Sequence, residues 1–158
     1  MKALMTLYLR LALGISFLSS VADRFGLWGT PGKPNVVWGN IENYTDYVAA
    51  LTPFIPNALV PIAGWIATMF ETILGILLII GFKTRITAVL SGAMLIIFAL
   101  GLTVGTGFKT SLDYSVFSAS AGAGAFILIY FKRIPYSIDA LLMKKTVEAE
   151  SFSLESDK

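Results

Sequence analysis

The chain has 158 residues, of which 56% are hydrophobic and 14% charged, with a formal net charge of +2. Its mean hydropathy of +0.75 lies outside the range of soluble domains and predicts an integral membrane protein. The lack of cysteine and histidine excludes disulfides, thiol redox chemistry, the usual zinc sites and histidine-ligated haem, so no metal site is expected, and the small, scattered charge argues against nucleic-acid binding.

Four apolar runs are long enough to cross about 30 Å of hydrocarbon as helices. They lie near residues 3–21, 58–82, 86–104 and 114–131. Without the alternation of membrane strands, they predict an all-α protein, a four-helix transmembrane bundle. A signal peptide is the alternative for the first run, but Arg10 interrupts that run and its length exceeds that of a signal.

Lysine and arginine are unevenly distributed between the two sets of loops, which predicts the orientation in the membrane. We expect a multi-pass protein of the bacterial cytoplasmic (inner) membrane with both termini in the cytoplasm. Seven cations fall on the predicted inner side and three on the outer side: Lys2, Lys83, Arg85, Lys132, Arg133, Lys144 and Lys145 against Arg24, Lys33 and Lys109.

The segments between and after the spans predict one membrane domain, residues 1–145, and a disordered acidic tail, 146–158. The outer loop, 22–57, is rich in aromatic residues, glycine and proline, which favours a rigid cap at the headgroup level. Within it, Asn40 is a plausible N-cap for a short amphipathic interfacial helix that ends before Pro53. Residues 134–145 predict an amphipathic segment on the cytoplasmic face.

Two charged side chains, Arg10 and Glu71, lie within the predicted spans. A lone charge at the centre of a span costs about 2.5–3.5 kcal/mol, so each needs a partner. Because the first two spans run in opposite directions, the estimated depths of the two side chains predict an Arg10–Glu71 ion pair facing the interior. Such a pair could fix the register of two helices or form a ligand or proton site, and Arg10 could instead snorkel to the headgroups.

A second polar group gathers at the predicted outer end, where Asp23 and Arg24 close the first span and Asp113 opens the fourth. These side chains could meet under the aromatic cap. The alternatives are that Asp113 is only an N-cap and that Asp23 and Arg24 are interfacial anchors. The complete candidate binding set is Arg10, Asp23, Arg24, Glu71, Asp113, Tyr114 and Ser118.

Several of these segments resemble the DoxX family of small bacterial four-span membrane proteins. The resemblance rests on "LRLALGISFLSSVADRFGLWG", "VVWGN", "GWIATMFETILGILLIIGFKTR" and "LDYSVFSAS" and covers about residues 4–131. It implies similarity to a subunit of a thiosulfate:quinone oxidoreductase and to members of membrane oxidative-stress complexes. Many relatives carry lysine where Arg24 stands, so a role that needs a titratable amine does not transfer to this position.

Two functions are compatible with these features. The first is an accessory subunit of a quinone-linked membrane redox or oxidative-stress complex, in which a bound quinone is the candidate ligand and a soluble or membrane partner delivers the electrons. The second is a non-enzymatic module that binds or transports a lipid-like or small molecule, or that scaffolds a membrane complex. A stand-alone enzyme is not expected, because the chain carries no intrinsic cofactor motif. Small residues in the third and fourth spans predict helix packing and make a homo-oligomer a further candidate assembly.

Overall fold

The computed structural model describes residues 2–117, 119, 120, 122 and 136–142. Within this part of the chain all regular structure is helical. Three helices are long and apolar enough to cross a membrane: Leu4–Arg24, Asn57–Ile80 and Thr84–Thr106. These segments coincide with the first three predicted spans, so the prediction of a helical membrane protein is supported.

The first long helix, α1, runs from Lys2 to Arg24 and packs mainly against α3, Val60–Ile80. The two helices come close at a pair of glycines, where a Cβ built on Gly14 would lie 2.9 Å from the carbonyl oxygen of Gly75. Small residues allow two backbones to pack at this distance inside a membrane. The apolar core beside this crossing contains Phe17, Leu74 and Leu78.

The helix α3 ends at Gly81, which adopts a left-handed conformation with φ of +71°. This C-cap stops the helix and turns the chain into α4, Thr84–Thr106. A short turn of residues 81–83 therefore joins α3 to α4. We call this end of the bundle, with residues 81–84, the turn end, and the end covered by residues 25–59 the cap end.

The predicted short helix is present as α2, Ile41–Leu51, and the side chain of Asn40 accepts a hydrogen bond from the Asn43 backbone N–H, as an N-cap does. This helix packs across both α3 and α4. A Cβ on Gly105 of α4 would lie 2.5 Å from the carbonyl oxygen of Ala50, so this glycine makes room for α2. A 3-10 turn, Asn57–Leu59, then leads into α3.

The next helix, α5, is short. It runs from Phe108 to Asp113 and follows α4 after Gly107. Of the predicted fourth span, 114–131, the structure describes only residues 114–117, 119, 120 and 122, and the four-span bundle stays a prediction. The predicted acidic tail, 146–158, and the domain boundary at residue 145 also lie outside the described residues.

Candidate functional site

A buried ion pair joins α1 to α3 in the interior of the bundle. Glu71 lies near the middle of α3 and Arg24 is the last residue of α1, and both side chains are nearly inaccessible, at 1% and 2% exposure. The Nη2 group of Arg24 lies 2.7 Å from each of the two carboxylate oxygens of Glu71. Each side chain therefore supplies the counter-ion without which the other could not be buried.

Two hydroxyl groups complete the surroundings of the guanidinium. The Nη1 group of Arg24 donates to Thr68 Oγ1 at 2.8 Å, and Nη2 donates to Ser20 Oγ at 3.2 Å. Thr68 lies about one helical turn before Glu71 in α3, which places its hydroxyl on the same face as the carboxylate. Both Nη groups of Arg24 are thus hydrogen-bonded inside the bundle.

Two aromatic rings of the cap end cover the same guanidinium. The Cζ atom of Arg24 lies 3.8 Å from the ring centroid of Tyr44 and 5.3 Å from that of Trp38. The two rings meet edge to face, with centroids 5.1 Å apart. Cation–π contacts of this kind are strongest when the cation is desolvated, as Arg24 is. The cap end therefore packs directly onto the ion pair.

Asp23 fastens the loop that carries Trp38. Its Oδ2 atom accepts hydrogen bonds from the backbone N–H groups of Val37, at 3.1 Å, and Trp38, at 2.8 Å. The amide Nδ2 of Asn43 donates to the Trp38 carbonyl oxygen at 2.8 Å, which links the same loop to α2. Adjacent residues of α1 thus have different roles, since Asp23 binds the loop of the cap end and Arg24 binds Glu71.

The predicted Arg10–Glu71 pair is wrong, because Glu71 is paired with Arg24. Arg10 instead donates to the carbonyl oxygens of Leu78 at 2.9 Å and Ile79 at 3.0 Å, and to that of Tyr136 at 3.0 Å. The last carbonyls of a helix have no partner within it and carry partial negative charge, which suits an arginine. Because α1 begins beyond the end of α3, Arg10 lies at the last turn of α3 and not opposite Glu71.

A second contact at the turn end, between Asp139 and the start of α4, was not predicted from the sequence. The carboxylate of Asp139 accepts hydrogen bonds from the backbone N–H groups of Lys83 at 2.7 Å and Thr84 at 2.8 Å. Lys83 precedes α4 and provides no side-chain cap of its own. Asp139 therefore caps α4 from a distant part of the chain. The signal available in the sequence was the missing N-cap in "GFKTR", which indicates an acceptor from elsewhere.

The comparison with family models decides the family. The model described as methylamine utilisation protein MauE matches residues 2–115, which include all three long apolar helices and the Arg24–Glu71 pair. The chain belongs to the MauE family. Comparison with curated proteins and with solved structures gives no match.

Membership of the MauE family corrects the resemblance to DoxX proteins, since MauE is a different family. The resemblance rested on four segments whose small, aromatic and cationic residues are common wherever helices pack and are anchored in a membrane. The quinone hypothesis loses the support of that resemblance and stays a prediction.

Of the remaining candidate residues of this MauE family chain, Asp113 and Tyr114 are exposed. Asp113 is the last residue of α5, and not the N-cap of a helix that starts at residue 114, and its exposed carboxylate contacts Lys109 at 2.5 Å. Tyr114 is 71% exposed. Ser118 lies outside the described residues. The structure thus joins Arg24 and Glu71 directly, places Asp23 beside them, and leaves Arg10 at the opposite end.

The buried phenol of Tyr44 is expected to make the stability of the fold depend on pH. Burial raises the pKa of Tyr44 to about 12, although the nearby charge of Arg24 acts in the opposite direction. The unfolded chain releases this proton near pH 10, so the stability is unaffected below about pH 10 and falls as the pH rises towards 12. Phenolate absorbance should show a late-titrating component from which Tyr44→Phe removes one tyrosine. A late component of unchanged size in that variant would contradict the burial of Tyr44.

Proposed function

We propose that this MauE family chain is a membrane-embedded accessory protein of a methylamine utilisation system. The family match over residues 2–115 carries this proposal, since the family is described by that process. The three long apolar helices support a place in the lipid bilayer. An accessory role implies partner proteins in the same system. In this proposal, one of those partners carries out the redox step of amine oxidation.

The composition of the chain supports an accessory role. With no cysteine and no histidine, its side chains provide neither a thiol pair nor the common ligands of haem and zinc. Two buried charged side chains, Arg24 and Glu71, are bonded to each other. Electron transfer in such a system would therefore depend on groups held by a partner.

The Arg24–Glu71 pair, in this proposal, holds the fold that partners recognise. The guanidinium of Arg24 contacts side chains from three helices: Thr68 of α3, Ser20 of its own helix α1 and the ring of Tyr44 in α2. Three helices thus meet at one guanidinium. A pair buried in this way specifies how helices are arranged, even where its net contribution to stability is small.

The distribution of lysine and arginine supports the proposed orientation, with both termini in the cytoplasm. Lys83 and Arg85 flank the turn end, whereas the cap end carries aromatic side chains such as Trp28 and Trp38. In a bacterial cytoplasmic membrane this orientation would present the cap end to partners outside the cytoplasm.

One observation favours a second candidate, a module that binds or transports a lipid-like or small molecule. An open apolar groove of about 620 Å³ runs between α1 and α3, and Thr68 of the ion-pair site lies in its wall. Aromatic side chains, Phe25 and Trp65, line its end with ring centroids 6.1 Å apart. A groove of this size and composition suits an acyl chain or a similar apolar body.

Deleting the gene in its native host tests the proposal. We expect growth to be lost when methylamine is the only nitrogen source and to be unchanged on ammonium. Methylamine-dependent dye reduction in cell extracts should be lost in the deletion strain and return when the wild-type gene is restored. The extract assay matters because it needs no transport across the membrane.

Two other results of the deletion experiment would contradict the accessory role. Full growth of the deletion strain on methylamine would overturn the proposal. Full dye reduction in extracts, combined with lost uptake of labelled methylamine by whole cells, would replace the accessory role with the transport module. A strain that expresses Gly122→Val, where no atom of the described residues lies within 4 Å of the added Cβ, shows whether a substitution by itself lowers the amount of protein.

A further inference from the structure

Polar atoms without partners are concentrated at one place in the fold. Among the residues that the structure describes, four buried side-chain atoms have no hydrogen-bond partner. Three of them belong to residues that contact one another at the cap end: Asp23 Oδ1, Arg24 Nε and Trp38 Nε1. Buried polar groups are nearly always satisfied by protein or by ordered solvent, so a cluster of three indicates a binding site.

The three residues are held together by contacts already described. Asp23 and Arg24 are neighbours in α1, and the backbone N–H of Trp38 donates to the other oxygen of the Asp23 carboxylate at 2.8 Å. The indole ring of Trp38 lies 5.3 Å from Arg24 Cζ. Asp23 and Arg24 are 4% and 2% exposed. The site is therefore built from side chains that are fixed before any ligand arrives.

The donors and acceptors of this cluster define the chemistry of a ligand. Arg24 Nε and Trp38 Nε1 each present an N–H donor, and Asp23 Oδ1 presents an acceptor. A hydroxyl oxygen matches this set, because it accepts two hydrogen bonds and donates one. A carboxylate or phosphate oxygen would face the Asp23 carboxylate without a proton to share. Protonated methylamine has only donors and would face two N–H groups.

We propose that Asp23, Arg24 and Trp38 bind one neutral hydroxyl group, supplied by an ordered water or by a small alcohol. The bound hydroxyl links the end of α1 to the loop that carries Trp38. It thereby helps to keep the cap closed over Glu71. The proposal is independent of the proposed function, because it rests on these three side chains alone.

NMR of the full chain in perdeuterated detergent tests this site through the indole N–H of Trp38. The chain has three tryptophans, and Trp38→Phe assigns the signal. We expect a cross-peak between the Trp38 indole proton and water. Added methanol should shift the Trp38 signal saturably and give a cross-peak to its methyl protons if the site accepts an alcohol. Trp28, whose indole Nε1 donates to the Ser19 carbonyl oxygen at 3.1 Å, provides the chemical shift of a bonded indole.

Three variants make the test specific. Arg24→Lys keeps the charge but removes the Nε donor, and Asp23→Asn alters the acceptor, so each should weaken the Trp38 cross-peak at least severalfold. Tyr44→Phe should leave it in place, which excludes relay through the nearby phenol. The proposal is overturned if wild-type Trp38 has the shift of an unbonded indole and contacts neither water nor methanol. Loss of the cross-peak in Tyr44→Phe would also overturn it.

Discussion

Replacing Glu71 by glutamine is expected to destabilise the chain by about 3–5 kcal/mol. The change leaves the guanidinium of Arg24 buried without its counter-ion, which costs far more than the pair itself contributes. Arg24→Gln should have a similar effect, because it strands the carboxylate of Glu71. Reversible unfolding of the purified protein in mixed micelles measures both losses.

A double-mutant cycle gives the decisive form of this prediction. The double variant Arg24→Gln/Glu71→Gln should recover part of the stability that either single variant loses, since neither charge then remains. Arg10→Gln is the matched control, and its effect should add to that of Glu71→Gln. Coupling between Arg10 and Glu71, with additivity between Arg24 and Glu71, would show that the helices pack in a different register.

The second large effect is expected from Gly14→Val. A Cβ at this position would lie 2.8 Å from Ile79 Cγ1 and 2.9 Å from the Gly75 carbonyl oxygen. The Gly75 contact is with backbone, so α1 and α3 must move apart to accept the side chain. Overpacking of this kind costs about 1–3 kcal/mol, and more where a helix crossing is lost.

Thermal unfolding of Gly14→Val beside Gly122→Val tests the crossing. Among the residues that the structure describes, none has an atom within 4 Å of a Cβ built on Gly122, so valine there should change the midpoint little. A large difference between the two variants supports the close approach of α1 and α3. Equal midpoints would contradict it.

The need for a partner at Glu71 could be predicted from the sequence, but the identity of that partner could not. The cost of a lone charge in a membrane requires a cation. Whether Arg10 or Arg24 reaches Glu71 depends on the position of α1 along the axis of α3. The prediction ended the first span at residue 21 and assigned Arg24 to the outer surface, whereas α1 continues to Arg24, whose side chain reaches the carboxylate inside.

Contacts to backbone atoms are still harder to predict. Arg10 binds carbonyl oxygens of Leu78 and Ile79, which every residue possesses, so no side-chain pattern marks them. Asp139 reaches the start of α4 across 55 residues of sequence separation from Thr84. Such contacts follow from the packed fold and leave only indirect signs, such as a helix without its own N-cap.

Local features were predicted more accurately because they depend on neighbouring residues. Asn40 as an N-cap and the short helix that follows it both match the structure. Each follows from hydrogen bonds or backbone angles within a few residues. The family assignment from the sequence was wrong, since the DoxX-like segments reflect helix packing in membranes and the matching family model is MauE.

The measurement that tests the central claim most directly is growth on methylamine by a strain whose only copy carries Arg24→Gln/Glu71→Gln, with membrane abundance quantified in parallel. If the pair acts by holding the helices together, growth of the double-variant strain should be restored in proportion to the amount of folded protein in the membrane. Glu71→Gln alone should reduce both the membrane abundance and the growth. A double variant that accumulates to the wild-type level yet supports no growth would contradict this account, because the carboxylate of Glu71 would then be required for its chemistry and not for the fold.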